Sequence, residues 1–231
     1  MMPDKPFDAC SFDAAMVDLD GTLVDTLGDF VATVNAMLAE LREPGQLSQQ
    51  LDAATVGRMV GKGSENLVKA VLAHAGGGLP ARYAEAFASY QRHYAAINGM
   101  HSTVYPGGLE GLRTLQQAGL KLACLTNKPL AMARQLLKIK GLDGFFSEVF
   151  GGDSFERKKP HPLPLLKTCE ALGTAPARTL MIGDSSNDAR AARAAGCPVL
   201  LVTYGYNHGE PVCEVDADGF VDSLAELRLQ K

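Results

Sequence analysis

Two hydrophobic rhythms divide the chain. Continuous apolar runs recur at Ala14–Leu19, Leu120–Leu125, Thr179–Ile182 and Val199–Val202, with a shorter one at Glu148–Phe150. Each is too short for a helix and is bounded by Gly, Asp or Thr, so each predicts a buried strand. Helical spacing separates them, at Pro129–Lys140, Leu163–Leu172 and Asn187–Ala195, and a terminal helix is expected over Asp222–Leu229. Pro129 suits a first helical turn, while Gly141 and Gly196 suit helix exits. Apolar strands alternating with helices predict a mainly parallel sheet covered by helices on both faces.

The second rhythm runs from Leu27 to Met100. Phe30, Val31, Val34, Met37, Leu38 and Leu41 fall on one helical face. Further helices are expected over Leu47–Met59, Ser64–Ala75 and Ala81–Ile97, interrupted at Pro44-Gly45 and at Gly76-Gly77-Gly78-Leu79-Pro80. No strand pattern occurs in this stretch. The expected architecture is α/β: a Rossmann-like core from residues 1–27 and 104–231, with residues 28–103 inserted as an all-helical cap domain.

Bulk composition narrows the function classes. The chain has 231 residues and a net charge of −4, enough length for a real core and no basic surplus for a nucleic-acid partner. Its five cysteines (Cys10, Cys124, Cys169, Cys197 and Cys213) form no C-x-x-C pair, so neither a zinc ribbon nor a disulfide framework is indicated. No apolar run approaches membrane-spanning length, and Met1–Cys10 lacks a signal-peptide core. No membrane partner is expected, and a cytoplasmic protein is the default. Monomer and homodimer both remain open.

The candidate chemistry sits where the strands end. Ligands of parallel α/β sheets bind beyond the carboxyl ends of the strands. The first strand delivers Asp18 and Asp20, two positions apart and so facing the same way. Another ends in Thr126-Asn127-Lys128, and a third in Gly183-Asp184-Ser185-Ser186-Asn187-Asp188. Arg157-Lys158-Lys159-Pro160-His161-Pro162 lies between the last two. Taken singly, each is an Asp-rich turn, a solvated basic run or a helix cap. Together they match one chemistry. A carboxylate can attack phosphorus, provided cations offset the repulsion, which is about 4 kcal/mol for one charge pair at 4 Å and an effective dielectric of 20. Asp oxygens suit Mg²⁺, Lys adds charge, and Thr and Asn donate hydrogen bonds to phosphoryl oxygens. A second carboxylate can protonate a leaving alkoxide and later activate water.

The ordered set resembles the haloacid dehalogenase superfamily. Its first motif, D-x-D-G-T, matches Asp18–Thr22; its second, Thr126; its third, Lys159 followed by Pro160; its fourth, G-D-x-x-x-D, matches Gly183, Asp184 and Asp188. The resemblance implies a Mg²⁺-dependent enzyme with Asp18 as nucleophile and metal ligand. It implies Asp20 as general acid/base, also binding metal through its carbonyl. Thr126, Asn127 and Lys159 would hold the phosphoryl group. Asp184 would complete the metal site, with Asp188 as a ligand or just behind one. Asp20 separates phosphate-ester chemistry from dehalogenation, which needs no such acid. The stretch Thr203-Tyr204-Gly205-Tyr206-Asn207-His208-Gly209-Glu210-Pro211, with Tyr105-Pro106-Gly107-Gly108 and the Lys159–Pro162 run, is similar to phosphoglycolate phosphatases; His208 stands where Tyr is frequent. The expected substrate is therefore a small phosphorylated metabolite, 2-phosphoglycolate first.

Gly57-Arg58-Met59-Val60-Gly61-Lys62-Gly63-Ser64 joins two expected helices, and Arg58 or Lys62 is placed to meet a second anionic group. An ordinary basic loop explains the same residues equally well. His74, His93, His101 and His161 show no metal-ligand spacing. Three rivals stay open: a phosphomutase on the same fold, a phospho-receiver module, and a binding protein without turnover.

Overall fold

The computed structural model describes residues 11–42, 50–76 and 79–228. Cys10, the Pro44-Gly45 break, the start of the Leu47 helix, Gly77-Gly78 and the end of the Leu229 helix lie outside the described residues.

Six strands form one parallel sheet: β1 (Ala14–Val17), β4 (Lys121–Leu125), β5 (Glu148–Phe150), β6 (Thr179–Gly183), β7 (Val199–Val202) and β8 (Gly219–Val221). Their spatial order is β5-β4-β1-β6-β7-β8. Thus β1 lies centrally, paired in register with β4 through Met16 and Ala123 and with β6 through Met16 and Met181. Period-two alternation sorts the strand side chains between two hydrophobic layers. Ala15, Val17, Leu122, Cys124, Leu180 and Ile182 pack on one face, with Leu112 and Leu115 of α5 (Gly108–Gln117) and Leu136 and Leu137 of α6 (Leu130–Ile139). Met16, Leu125 and Met181 pack on the other, with Leu165 and Cys169 of α7 (Leu163–Leu172) and Ala189 and Ala192 of α8 (Ser186–Ala195). Because the sheet is buried on both sides, its strands read as unbroken apolar runs in the sequence.

The helical stretch comprises α1 (Leu27–Glu40), α2 (Ala53–Gly57), α3 (Ser64–Ala75) and α4 (Tyr83–Ile97). It has its own apolar cluster. Phe30, Val34 and Met37 of one α1 face, with Leu41 just past its end, meet Val68, Val71 and Leu72 of α3 and Tyr90 and Tyr94 of α4. Full burial of a side chain of this size is worth about 1.5–3 kcal/mol, so the stripe supplies what isolated helices of this length lack. Two chain segments connect this block to the sheet, and they pair as a two-stranded antiparallel ribbon, β2 (Val24–Asp25) with β3 (Thr103–Val104). Asp29, buried on α1, ties the returning segment by accepting from the amides of Gly99 and His101, both at 2.7 Å.

Two expected helices differ. Over Leu47–Met59 the described residues hold only α2, because the Asp52 carboxylate accepts from the Thr55 amide at 2.8 Å and starts the helix there. At the carboxyl end, residues 219–221 add an unexpected strand, β8, and in place of the expected Asp222–Leu229 helix the described residues hold only a single 3₁₀ turn, Leu224–Glu226. Leu224 and Leu227 are both buried, and their i,i+3 spacing satisfies one such turn as well as it would an α-helix.

Candidate active site at the carboxyl end of the central strand

The chain leaves β1 at the middle of the sheet and turns at once. Asp18 still donates its amide to the Ile182 carbonyl at 2.9 Å, which keeps it in the ladder. Leu23 and Val24 both fold back to donate to the Leu19 carbonyl at 3.0 Å. Leu19 therefore points into the core, while Asp18 and Asp20, on either side of it, line one cavity. The same cavity receives Thr126 and Asn127 from the end of β4, Asp184 from the end of β6, Asp188 from the first turn of α8, and Lys159 from the loop before α7. All seven core residues expected from the sequence thus converge.

Lys159 is the hinge of the charge arrangement. It is 4% exposed, whereas its neighbour Arg157 faces solvent, so the basic run is not a solvated surface stretch. Its ammonium lies 3.1 Å from Asp18 Oδ1 and 2.7 Å from Asp188 Oδ1, and donates to the Leu125 carbonyl at 2.8 Å. Burial disfavours that ammonium, but Asp18 and Asp188 outweigh it and push its pKa up. Asp188 is fully engaged: Oδ2 accepts from the Ser185 hydroxyl at 2.8 Å and from the Ser185 and Asp184 amides at 3.2 and 3.3 Å. Asn127 donates to the Lys159 carbonyl at 2.9 Å and so secures the loop as well as facing the cavity. The Thr126 hydroxyl accepts from the Lys128 amide at 3.2 Å, which leaves its proton for another acceptor.

The carboxylates outnumber their cations. Asp18, Asp184 and Asp188 each place an oxygen within 4.8 Å of the others. Burial pushes the Asp18 carboxyl up to about 7, with Asp188 and Asp20 adding repulsion against the pull of Lys159. Burial, then Asp188 and Asp18, push Asp184 well above the carboxylate range. Asp18 Oδ1 has no well-aligned hydrogen-bond donor despite its burial and the nearby Lys159 ammonium. The cavity wall carries four Asp against two Lys, an excess equal to one divalent cation. This donor set fits Mg²⁺: hard oxygens, mostly carboxylate, at a site where charge is missing.

A loop that the sequence marks only as aromatic- and glycine-rich holds this cluster in place. The Tyr206 amide donates to Asp184 Oδ2 at 2.6 Å. Its hydroxyl donates to Asp25 Oδ1 and accepts from the Thr26 and Leu27 amides at 2.9 and 3.0 Å. Gly21, at φ +85°, and Gly205 enclose Asp184, and a Cβ on either would come within 2.2 Å of that side chain. Only a residue without Cβ allows this approach. His208 and Asn187 reach the helical block, His208 Nδ1 lying 2.9 Å from the Val60 carbonyl and Asn187 donating to the Gly61 carbonyl at 3.0 Å.

The expectation for Arg58 and Lys62 is not met in this arrangement. Gly61 and Gly63 bring the loop backbone to the cavity, while Arg58 and Lys62 are exposed and do not line it. The cation that lines it besides Lys159 is Lys128, beside Asp20 at 3.0 Å. Its place directly after Thr126-Asn127 at the same strand end is the signal that could have given it a role.

The chain belongs to the haloacid dehalogenase-like hydrolases: the family model matches residues 12–196. It is a phosphoric monoester hydrolase. Among its relatives is a phosphoglycolate phosphatase of Thiobacillus denitrificans, 45% identical over 221 residues that cover 94% of each chain. Another, from Nitrosospira multiformis, is 43% identical and covers 92% of each. A crystal structure described as a predicted phosphoglycolate phosphatase from Haemophilus somnus superposes with a TM-score of 0.82 at 33% identity, covering 94% of this chain and 96% of that one. No helix among the described residues is long and apolar enough to cross a membrane.

Proposed function

We propose that the protein hydrolyses 2-phosphoglycolate to glycolate and phosphate, with Mg²⁺, through a phosphoryl group carried on Asp18. The observation that carries this reading is the convergence of Asp18, Asp184 and Asp188 within 4.8 Å, with the Lys159 ammonium against two of them. Relatives named for that substrate over nearly the whole chain support the choice among small phosphoesters.

Asp18, Asp184 and the Asp20 carbonyl would hold the cation, which supplies positive charge to the phosphoryl oxygens and the carboxylate that approach each other. Asp188 then keeps Lys159 and the Ser185 turn in position. The Lys159 ammonium, the Thr126 hydroxyl and the Asn127 amide hold the phosphoryl oxygens. An Asp18 oxygen attacks phosphorus, and the bond from phosphorus to the ester oxygen breaks. Asp20 gives its proton to the departing oxygen. In the second half, Asp20 takes a proton from water, the water oxygen attacks phosphorus, and Asp18 is freed with release of phosphate. Residues 28–103 form a cap over this site and exclude bulk water during the transfer. Phe30, Leu67, Tyr90 and Tyr94 supply its apolar roof.

The apolar roof also favours hydrolysis of a compact ester over sugar phosphomutase action, since each sugar hydroxyl buried without a partner costs about 1–3 kcal/mol. The test is a phosphate-release screen over small phosphoesters with Mg²⁺ and with chelator. The expected result is Mg²⁺-dependent release, highest with 2-phosphoglycolate. Isomerised sugar phosphate without phosphate release would favour the mutase.

A further inference from the structure

We propose that Lys128 selects the substrate, its ammonium receiving a carboxylate on the alcohol side of the phosphoester. This rests on the phosphatase reading above and names the residue that would recognise the second anionic group.

Lys128 is a buried cation with an incomplete set of partners. Its side chain is 1% exposed. Of its three N–H donors, one serves Asp20 Oδ1 at 3.0 Å and one the Tyr94 hydroxyl. Among the described residues the third meets no acceptor; the ammonium instead sits 4.7 Å from the Tyr94 ring centroid and 5.4 Å from that of Phe30. Lys159 contrasts with it, facing two carboxylates and a carbonyl. A buried ammonium costs several kcal/mol unless fully paired, so Lys128, which faces a single carboxylate, has room for a further negative charge.

Position fixes which charge. Lys128 contacts Asp20, the residue proposed to protonate the departing oxygen. A group near both lies on the alcohol side of the ester, away from the phosphoryl oxygens that face Lys159. In a two-carbon ester such as 2-phosphoglycolate the carboxylate is one carbon removed from the carbon bearing that oxygen's ester bond. The surrounding walls are apolar, which strengthens a charge contact. Tyr90 lines the same cavity, with its hydroxyl buried beside Ser64. No other lysine or arginine among the described residues lines the cavity besides Lys159.

The test compares Lys128→Met with wild type on two esters of one shape: 2-phosphoglycolate, and the phosphate ester of glycolamide, in which a neutral amide replaces the carboxylate. Wild type is expected to prefer the carboxylate by at least about 30-fold in kcat/KM. Lys128→Met is expected to lose activity on both esters, because it also removes the ammonium beside Asp20, but to lose at least about tenfold more on 2-phosphoglycolate, with the excess in KM. Equal losses on both esters overturn the assignment and leave Lys128 as a support for Asp20. Activity on other phosphoesters but on neither of these overturns the 2-phosphoglycolate reading, and this assignment with it. Thermal melting checks that Lys128→Met is folded; should it not be, Lys128→Gln is held to the same criterion.

Discussion

The backbone amide of Tyr206 donates to Asp184 Oδ2 at 2.6 Å, and the same residue's hydroxyl engages Asp25 and the first amides of α1. One residue thus links a proposed metal ligand to the ribbon that leads into the helical block. The link depends on close backbone approach, and that approach depends on Gly205.

Gly205→Ala places a Cβ 2.2 Å from Asp184 Cβ and 2.4 Å from its Oδ2. Asp184 must shift, and so must the Gly21 carbonyl, which the same Cβ meets at 2.6 Å. The expected outcome is a loss of about 10–100-fold in Mg²⁺ affinity together with a lower Mg²⁺-free melting temperature. A titration of activity against Mg²⁺ measures it; an unchanged half-saturation concentration contradicts the role given to Asp184.

Lys159→Ala removes the only ammonium that contacts Asp18 and Asp188 among the described residues. Breaking a buried pair from one side typically costs about 3–5 kcal/mol. Urea unfolding should show a loss of that order in chelator, partly recovered at saturating Mg²⁺, and turnover should fall by at least about 100-fold. Unchanged kinetics would return Lys159 to a merely basic loop.

Asp18 and Asp184 both hold their protons more tightly folded than unfolded, Asp18 shifting from 3.8 to about 7. The sign is therefore unusual for carboxylates. Their contribution to stability is complete below the unfolded value and is lost as pH rises, for Asp18 from about 4 toward 7. Mg²⁺ binds the deprotonated forms, so the gap in melting temperature between Mg²⁺-loaded and chelated protein should widen across that window. Thermal scans from pH 4.5 to 8 with and without Mg²⁺ check this. A gap that does not change with pH contradicts it.

The core and the residues of the candidate site are legible in the sequence for one reason. A parallel strand buried on both faces is written as an unbroken apolar run, and its last residue fixes where the next polar side chain lies. Asp18, Thr126 and Asp184 follow β1, β4 and β6 directly, so reading the strands locates the site. The two-residue strands β2 and β3 are too short to carry a period. Leu224 and Leu227 suit a 3₁₀ turn as well as a helix. The least legible part is the wall facing the sheet. Which residues of the helical block reach the ligand depends on how two units meet, and no local pattern states that. Arg58 and Lys62 look suitable by charge yet face solvent, while Tyr94 and Phe30, readable only as core positions of helices, close over Lys128.

The most direct test of the account is an acid quench of Asp20→Asn during turnover of ³²P-labelled 2-phosphoglycolate with Mg²⁺, followed by peptide mapping. Asp20→Asn slows transfer by removing the acid and slows dephosphorylation by removing the base; with the second step slowed more, label should accumulate on the peptide containing Asp18, and Asp18→Asn should show neither label nor turnover. Phosphate release by Asp18→Asn at a rate near wild type, with no labelled peptide from either variant, would contradict the covalent role of Asp18.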